Sequence, residues 1–400
     1  MKKKMKKNNT TYICAYTRTP IGAFQGSLSH VPATKLGSIV IESILNKGLL
    51  ADAAIDEVIM GNVLSANLGQ APARQAALGA GLSHQTECMT INKVCGSGLK
   101  SIMLSDQSIQ SGYIHTAIAG GMENMSLAPY YIEQSRSGMG FGHKKLIDSI
   151  LKDGLWDPYS DFAMGNCGEV LCEEESYSRL DQDNYAIESY KRSNHAIKNG
   201  DFKNEITPVI IKSKKGDIIF DIDEEPLKFN EEKISKLKPA FRKDGTITAA
   251  NASSLSDGAA AVLLASEHMV NKQGLKPLAR IIGQASFATK PLYFTKAPIY
   301  AIEKVLKQSE LTLEDIDLFE INEAFSCVPM IAIDTLKIPR AKVNVNGGAV
   351  SMGHPIGASG SRILVTLLNA LKTKKLKYGL AAICIGGGEA SAMIIENCDL

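Results

Sequence analysis

No run of apolar residues in this chain approaches the roughly 18 needed to cross a bilayer, so the sequence offers no membrane-spanning helix. Charge of one sign is missing as well: 44 Lys and Arg stand against 42 Asp and Glu, a formal net charge of +2. Such a chain has no general field with which to hold nucleic acid, and it shows neither a zinc-finger spacing nor an RNA-stacking pattern. Any anionic ligand must therefore be held by local groups. A cysteine framework is absent too, because the eight cysteines in 400 residues follow no regular spacing. That favours free thiols in a reducing compartment. The start, MKKKMKKNNT, is basic but lacks the apolar core of a signal peptide and the Arg and Ser of a transit peptide, so residues 1–10 read as a disordered tail. The end, Asn397-Cys398-Asp399-Leu400, is neither a peroxisomal tripeptide nor a prenylation box. The expectation is a cytoplasmic globular protein with no nucleic-acid or membrane partner.

The chain is long enough for two or three domains, and its 44% hydrophobic and 22% charged content suits a large buried core. A strand is predicted at 11–16, followed by a helix at 33–46 whose Leu36, Ile39, Val40, Ile44 and Leu45 keep helical spacing. Further units are a strand at 57–63, a helix at 71–79, a strand at 87–94, a helix at 97–110 and a strand at 115–120. This alternation predicts a mostly parallel sheet covered by helices. From about 126 to 247 the charge rises, the apolar runs shorten and the single tryptophan, Trp156, appears. This region reads as an insertion, with a helix at 180–198, paired strands at 205–211 and 217–222, and a loop at 223–238. Alternation resumes with strands at 259–265 and 279–288 and a helix at 299–308.

The two flanking regions echo each other. IDEVIMGN at 55–62 has a counterpart in EDIDLFEIN at 314–322, and each leads into a helical run. Some thirty residues later the turn at Cys95 matches the turn at His354, and AIAGGMENMS is answered by AAICIGGGEASAM. Three echoes in one order indicate a duplicated domain whose corresponding turns meet at a shared face.

Within that frame the stretch VCGSGLK places Cys95 between a strand and a helix, where small residues let backbone or substrate come close. A helix N-terminus would lower the thiol pKa from its usual value near 8.5 and favour a nucleophile. A small buried core thiol fits the isolated motif equally well. The second half supplies three polar clusters at ends of strands, where open α/β sheets place ligands: Asn322-Glu323, His354-Pro355 and Cys384-Ile385-Gly386. Singly, Asn322 reads as a helix cap, His354 as a structural histidine and Cys384 as core. Gathered at one face, a thiol, an imidazole, a carboxamide donor and a second thiol suit nucleophilic catalysis with proton transfer. Main-chain N–H groups at Cys95 and near Gly386 would bind a developing oxyanion.

The motifs NKVCGSGLK, INEAF, NVNGGAVSMGHPIGASGSR and CIGGGEASAM resemble those of the thiolase family, and the likeness covers almost the whole chain. The segment 119–155 is similar to the biosynthetic acetoacetyl-CoA branch. The resemblance implies an α/β thiolase fold of duplicated βαβαβαββ halves in a five-layered αβαβα arrangement with an inserted loop domain. Its parts would be an N-terminal core at 11–126 and 248–274, an inserted CoA-binding and tetramerisation domain at 127–247, and a C-terminal core at 275–400. It implies reversible Claisen condensation of two acetyl-CoA to acetoacetyl-CoA and CoA by ping-pong chemistry, in a homotetramer built as a dimer of dimers. Cys95 would carry the acyl group and His354 would be its base. Cys384 would move the α-proton, Asn322 would act through a water on the enolate oxygen, and the N–H groups of Cys95 and Gly386 would hold the oxyanion. No tightly bound cofactor is implied, only coenzyme A thioesters as substrates.

For binding, the resemblance points to Leu155 and Met164 along the pantetheine tunnel, Ser253 on the pantetheine and Phe325 at the acyl end. Ala163 stands where bacterial relatives have His. Lys228 and Lys233 fall near the place where relatives put an arginine by the adenine, keeping charge without planar stacking. Tyr185, which is also counted among the binding positions, with Ala249, Ala250, Ala252 and Val350, resembles a potassium site. Phe294 stands in the loop that varies the acyl pocket, while Cys167 and Cys172 lack the partners of a zinc site and read as structural. The alternative readings are a degradative 3-ketoacyl-CoA thiolase, a non-catalytic acyl-CoA-binding protein, and the ketoacyl synthases, whose second base is not a thiol of the Cys384 type.

Overall fold

The computed structural model describes residues 10–50, 54–214 and 216–399, so nearly all of the basic tail lies outside the described residues. The first run comprises β1 (Thr11–Arg18), α1 (Ala33–Leu45), β2 (Glu57–Gly61), α2 (Pro72–Gly79), β3 (Glu87–Ile91), α3 (Ser97–Ser111) and β4 (Thr116–Asn124). The insertion contributes α4 (Met164–Glu174), α5 (Arg179–Asn199) and a hairpin of β5 (Val209–Ile211) with β6 (Ile218–Phe220). The chain then returns as β7 (Ser256–Ser266), which pairs with β4 along its length. The last run is β8 (Ala279–Ala288), α6 (Ala297–Gln308), β9 (Leu318–Ile321), α7 (Cys327–Leu336), α8 (Ser359–Lys374), β10 (Tyr378–Ile385) and β11 (Glu389–Asn397).

Local chemistry sets several of these boundaries. Before α5, the Ser178 hydroxyl accepts from the Asp181 N–H while the Asp181 carboxylate accepts from the Ser178 N–H, a reciprocal capping box. Gly200, at φ 78°, ends that helix in the left-handed region. All eleven residues of β7 are buried, because helices cover both faces of the sheet there. The backbones approach closely as well: a Cβ on Gly120 of β4 would lie 2.1 Å from the Ala260 carbonyl oxygen of β7.

The strands run in the order β9-β10-β11-β8-β1-β7-β4-β2-β3. The two halves are continuous only through β1 and β8, which pair at Tyr12 with Arg280 and Ile13 with Ala279. Helices α1 and α2 cover the outer face of the first half, and α6 with α7 the outer side of the second. Helices α3 and α8 pack on each other and on strands of both halves, forming the central layer of a five-layered αβαβα stack. The duplication is visible element by element, from β1 and β8 through α3 and α8 to β7 and β11. One member is reduced: the counterpart of β3 is a single parallel bridge between Phe319 and Val343.

The expectation of a mostly parallel sheet is corrected. Among the strand pairs of the described residues only β2 with β3, β2 with β4 and β9 with β10 are parallel, while β1, β7, β8 and β11 run antiparallel to their neighbours. The last strand of each half has no crossover helix. In the second half it returns through a tight turn at Gly387 and Gly388, whose φ values of 87° and 85° favour glycine. In the first half the insertion occupies the same point in the chain.

Candidate active site

Cys95 stands on a strained turn. Strand β3 stops at Ile91, and Val94 adopts φ 45°, a costly left-handed conformation for a β-branched residue. The turn is over-determined. The Lys93 N–H donates to Ser97 Oγ at 2.8 Å, the Ser97 hydroxyl donates to the Val94 carbonyl at 2.7 Å, and the Gly96 N–H donates to the Lys93 carbonyl at 3.0 Å. Helix α3 then begins, so Cys95 is presented half-buried at its N-terminal end.

The thiol's electrostatics differ from the sequence expectation. Burial pushes the Cys95 thiol up to about 11, and the Gly386 and Cys95 N–H groups that pull it down do not overcome that effect. The helix terminus alone does not make a thiolate here. The same two N–H groups lie near the sulfur.

His354 follows Gly353, which sits at φ 102°, where a Cβ would lie 2.1 Å from Ser256 Oγ. Its Nδ1 lies 2.6 Å from Ser359 Oγ, and the Ser359 hydroxyl itself donates to the Pro355 carbonyl at 3.0 Å. Ser359 therefore accepts from an Nδ1–H, which leaves Nε2 as the bare lone pair. Nε2 is buried with no hydrogen-bond partner among the described residues. Burial, reinforced by the Arg362 guanidinium, pushes His354 down to about 3, so it is neutral over the physiological range. An unprotonated Nε2 and a protonated thiol on the wall of one cavity are the two groups that general-base activation requires.

Cys95, His354 and Gly386 line one cavity of about 370 Å³, and Leu155, Met164, Ser253 and Phe325 line it too. So do Ala163, Ala249, Ala252 and Phe294. Phe325 is edge-on to both Phe241 and Phe294, with ring centroids 6.0 and 6.4 Å away. The Ser253 hydroxyl is engaged with the Ala324 carbonyl at 2.9 Å.

Cys384 and Asn322 lie outside the cavity lining. Cys384 is buried near the end of β10, where burial and the nearby Cys95 push its thiol well above the ordinary range. Asn322 anchors its N–H on the Ala382 carbonyl at 2.9 Å, while its side-chain oxygen and nitrogen have no partner among the described residues.

Lys228 and Lys233 line a second cavity of about 200 Å³ with Tyr190, Ala249 and Ala250, and Ala249 belongs to both cavities. Lys228 Nζ is held 2.9 Å from Glu225. Tyr185 stands apart from both cavities. Its hydroxyl donates to Glu323 at 3.0 Å, and the other Glu323 oxygen accepts from the Val350 N–H at 3.1 Å. Cys172 and Cys327 lie side by side in the core of the second half.

Two residues escaped the motif reading. Ser359 is the fifth residue after His354 and opens α8, a spacing that places a hydroxyl back over the preceding turn. Glu123 is a fully buried carboxylate inside the AIAGGMENMS echo, and the signal available was a lone charge in an otherwise apolar strand.

The profile described as "Thiolase, N-terminal domain" matches residues 11–268, and that described as "Thiolase, C-terminal domain" matches 275–397. Acetyl-CoA acetyltransferase 2 of Arabidopsis thaliana is 49% identical over 387 residues, 96% of either chain. The mitochondrial acetyl-CoA acetyltransferase of Rattus norvegicus is 51% identical over 391 residues, 97% of this chain and 91% of the relative. The crystal structure of the Acat5 thiolase from Ascaris suum in complex with coenzyme A superposes with a TM-score of 0.92. It is 44% identical and covers 97% of this chain and all of its own.

Proposed function

The chain belongs to the thiolase family, and from that premise we propose how its own residues carry out acetyl transfer between coenzyme A thioesters. The activity is acetyl-CoA C-acetyltransfer: two acetyl-CoA give acetoacetyl-CoA and CoA, reversibly. The observation that carries the mechanism is the unpartnered His354 Nε2 lining the same cavity as a protonated Cys95 thiol that faces two main-chain N–H groups.

Nε2 of His354 takes the Cys95 proton as sulfur attacks the thioester carbonyl. The oxyanion forms against the N–H groups of Cys95 and Gly386, and the C–S bond to CoA breaks. The departing CoA thiolate leaves with the Cys384 proton. Cys95 is then an uncharged thioester that no longer opposes ionisation of Cys384. The Cys384 thiolate removes the α-proton of the second acetyl-CoA. The enolate oxygen is stabilised by the His354 imidazolium and, through a water, by the otherwise unpartnered Asn322 carboxamide. The enolate carbon attacks the acetyl carbonyl, the bond to Cys95 breaks, and His354 returns the proton to that sulfur.

The apolar walls at Leu155, Met164 and Phe325 suit a pantetheine arm and a short acyl group, and Lys228 and Lys233, in a neighbouring cavity that shares Ala249, are the charges offered to the anionic nucleotide end. Residues 127–247 are read as the inserted CoA-binding and tetramerisation domain, between core parts at 11–126 with 248–274 and at 275–400. Support for a homotetramer comes from the exposed Tyr130, Phe141, Leu146 and Tyr159 of that insertion, an apolar set that a partner would cover. For potassium, the Tyr185 proton already goes to Glu323, so the phenol oxygen offers only lone pairs. With main-chain oxygens of Ala249, Ala250, Ala252 and Val350, it would make the all-oxygen donor set that a hard monovalent cation takes. No described helix is long and apolar enough to cross a membrane. Eight free thiols support a cytoplasmic location, which fractionation must weigh against equally similar mitochondrial relatives.

The test of function is thiolysis over a short panel of 3-ketoacyl-CoA substrates. Acetoacetyl-CoA is expected to be preferred. A strong preference for long chains would replace this reading with a degradative thiolase, and CoA binding without turnover would replace it with a binding protein.

A further inference from the structure

The Glu123 carboxylate lies between the two catalytic turns without touching the cavity. It is fully buried near the end of β4 and accepts four hydrogen bonds. One oxygen accepts from Asn62 Nδ2 at 2.8 Å and the Leu64 N–H at 3.2 Å; the other accepts from the Val63 N–H at 3.0 Å and the Gly357 N–H at 2.9 Å. The first three donors belong to the loop after β2, whose Val63 and Leu64 pack with Ile356 and against Cys95. The fourth is three residues beyond His354. The contact leaves no slack: a Cβ on Gly357 would lie 2.6 Å from the Glu123 oxygen.

We propose that Glu123 is a positioning residue that locks the Cys95 wall to the His354 turn across the two halves of the fold. The proposal rests on the reading of Cys95 as the nucleophile. The titratable groups around the pair are Asp257 on β7, which raises Glu123, together with His354 and Cys384. Burial pushes Glu123 up to about 7, so it carries charge over the range in which the thiol titrates, and that charge adds to the burial that raises the Cys95 thiol.

Glu123→Gln keeps the shape, but whichever oxygen becomes the amide nitrogen faces two donors it cannot accept from. Glu123→Asp keeps the charge and withdraws it from the clamp. The measurements are the pH dependence of Cys95 alkylation by iodoacetamide, read by mass spectrometry, and the rate and KM of acyl-enzyme formation from acetyl-CoA. For Glu123→Gln the alkaline limb of alkylation is expected to move to lower pH, because an opposing charge is gone. Its acylation rate is expected to fall at least tenfold with KM within a few-fold of the parent, as a loss of alignment requires. Glu123→Asp should lose rate in the same way but keep the parent limb. A Glu123→Gln limb superimposable on the parent, or acylation at the parent rate in either variant, overturns the proposal. If either variant fails to fold, the other still decides one arm. Alkylation of the unmodified enzyme at Cys95 without loss of activity would sink the underlying nucleophile reading instead, and leave the limb comparison intact.

Discussion

Replacing Ser359 by Ala removes one hydroxyl that never reaches the cavity, yet it should disable the base. The Ser359 oxygen accepts from His354 Nδ1 at 2.6 Å, and both residues are buried. Without it, either Nδ1–H is left unsatisfied in the interior, at about 1–3 kcal/mol, or the proton moves to Nε2, where the ring can no longer accept from Cys95. The bond also strengthens as the imidazolium forms, to about 1.5–3 kcal/mol for a charged partner. These figures correspond to a loss of about ten- to a hundredfold in the acylation rate. Rapid-quench measurement of acetyl-enzyme formation reads that step directly, with KM expected to stay near the parent value because Ser359 lines no part of the cavity. Thermal denaturation controls for folding. Acylation by a folded Ser359→Ala enzyme within twofold of the parent would refute the tautomer argument.

Three further outcomes follow from the charges. Burial raises Glu123 to about 7 and Glu320 to about 8 from a carboxylate's ordinary value, so their contribution to stability is full below about 4.5 and is lost as pH rises through those values. His354, depressed to about 3, acts oppositely but only below about 6.5. Between pH 6.5 and 8 the enzyme should therefore lose stability, and Glu320→Gln should flatten that slope by up to about 1.4 kcal/mol per pH unit in urea titrations, whatever it does to absolute stability by leaving Arg362 without its carboxylate; an unchanged slope would contradict the assignment. Lys228→Ala should raise KM for CoA thioesters by no more than about fivefold with kcat unchanged, since an exposed charge contact is worth about 0.2–1 kcal/mol. Exchanging potassium for sodium at constant ionic strength should lower activity, and Tyr185→Phe should abolish that difference; a parent enzyme indifferent to the ion rules the site out.

Much of the architecture was readable from periodicity and breakers. The strand 279–288 was placed to the residue, α1 and α5 within a residue or two of their ends, and the β5–β6 hairpin was anticipated inside an otherwise opaque insertion. Strand direction was not readable, because a strand buried on both faces, such as β7, carries the same apolar run whichever way it points. The chemistry of the Cys95 turn was legible from its glycines, but the sign of its pKa shift was not. A helix terminus is visible in a motif, whereas burial is a property of the assembled cavity. Glu123 was missed for a related reason: it acts through hydrogen bonds to groups whose proximity only the fold creates, Glu123 and Gly357 being 234 residues apart, whereas Ser359, five residues after His354, was within reach of the sequence.

The proposed mechanism divides the labour, with Cys95 carrying the acetyl group and Cys384 moving the proton. Labelled acetyl-CoA mixed with a Cys384→Ala variant tests it most directly, with the labelled site mapped by peptide mass spectrometry and acetoacetyl-CoA followed in the same sample. Stoichiometric acetylation of Cys95 is expected, with almost no acetoacetyl-CoA formed. Condensation at the parent rate, or label on any residue other than Cys95, would contradict it.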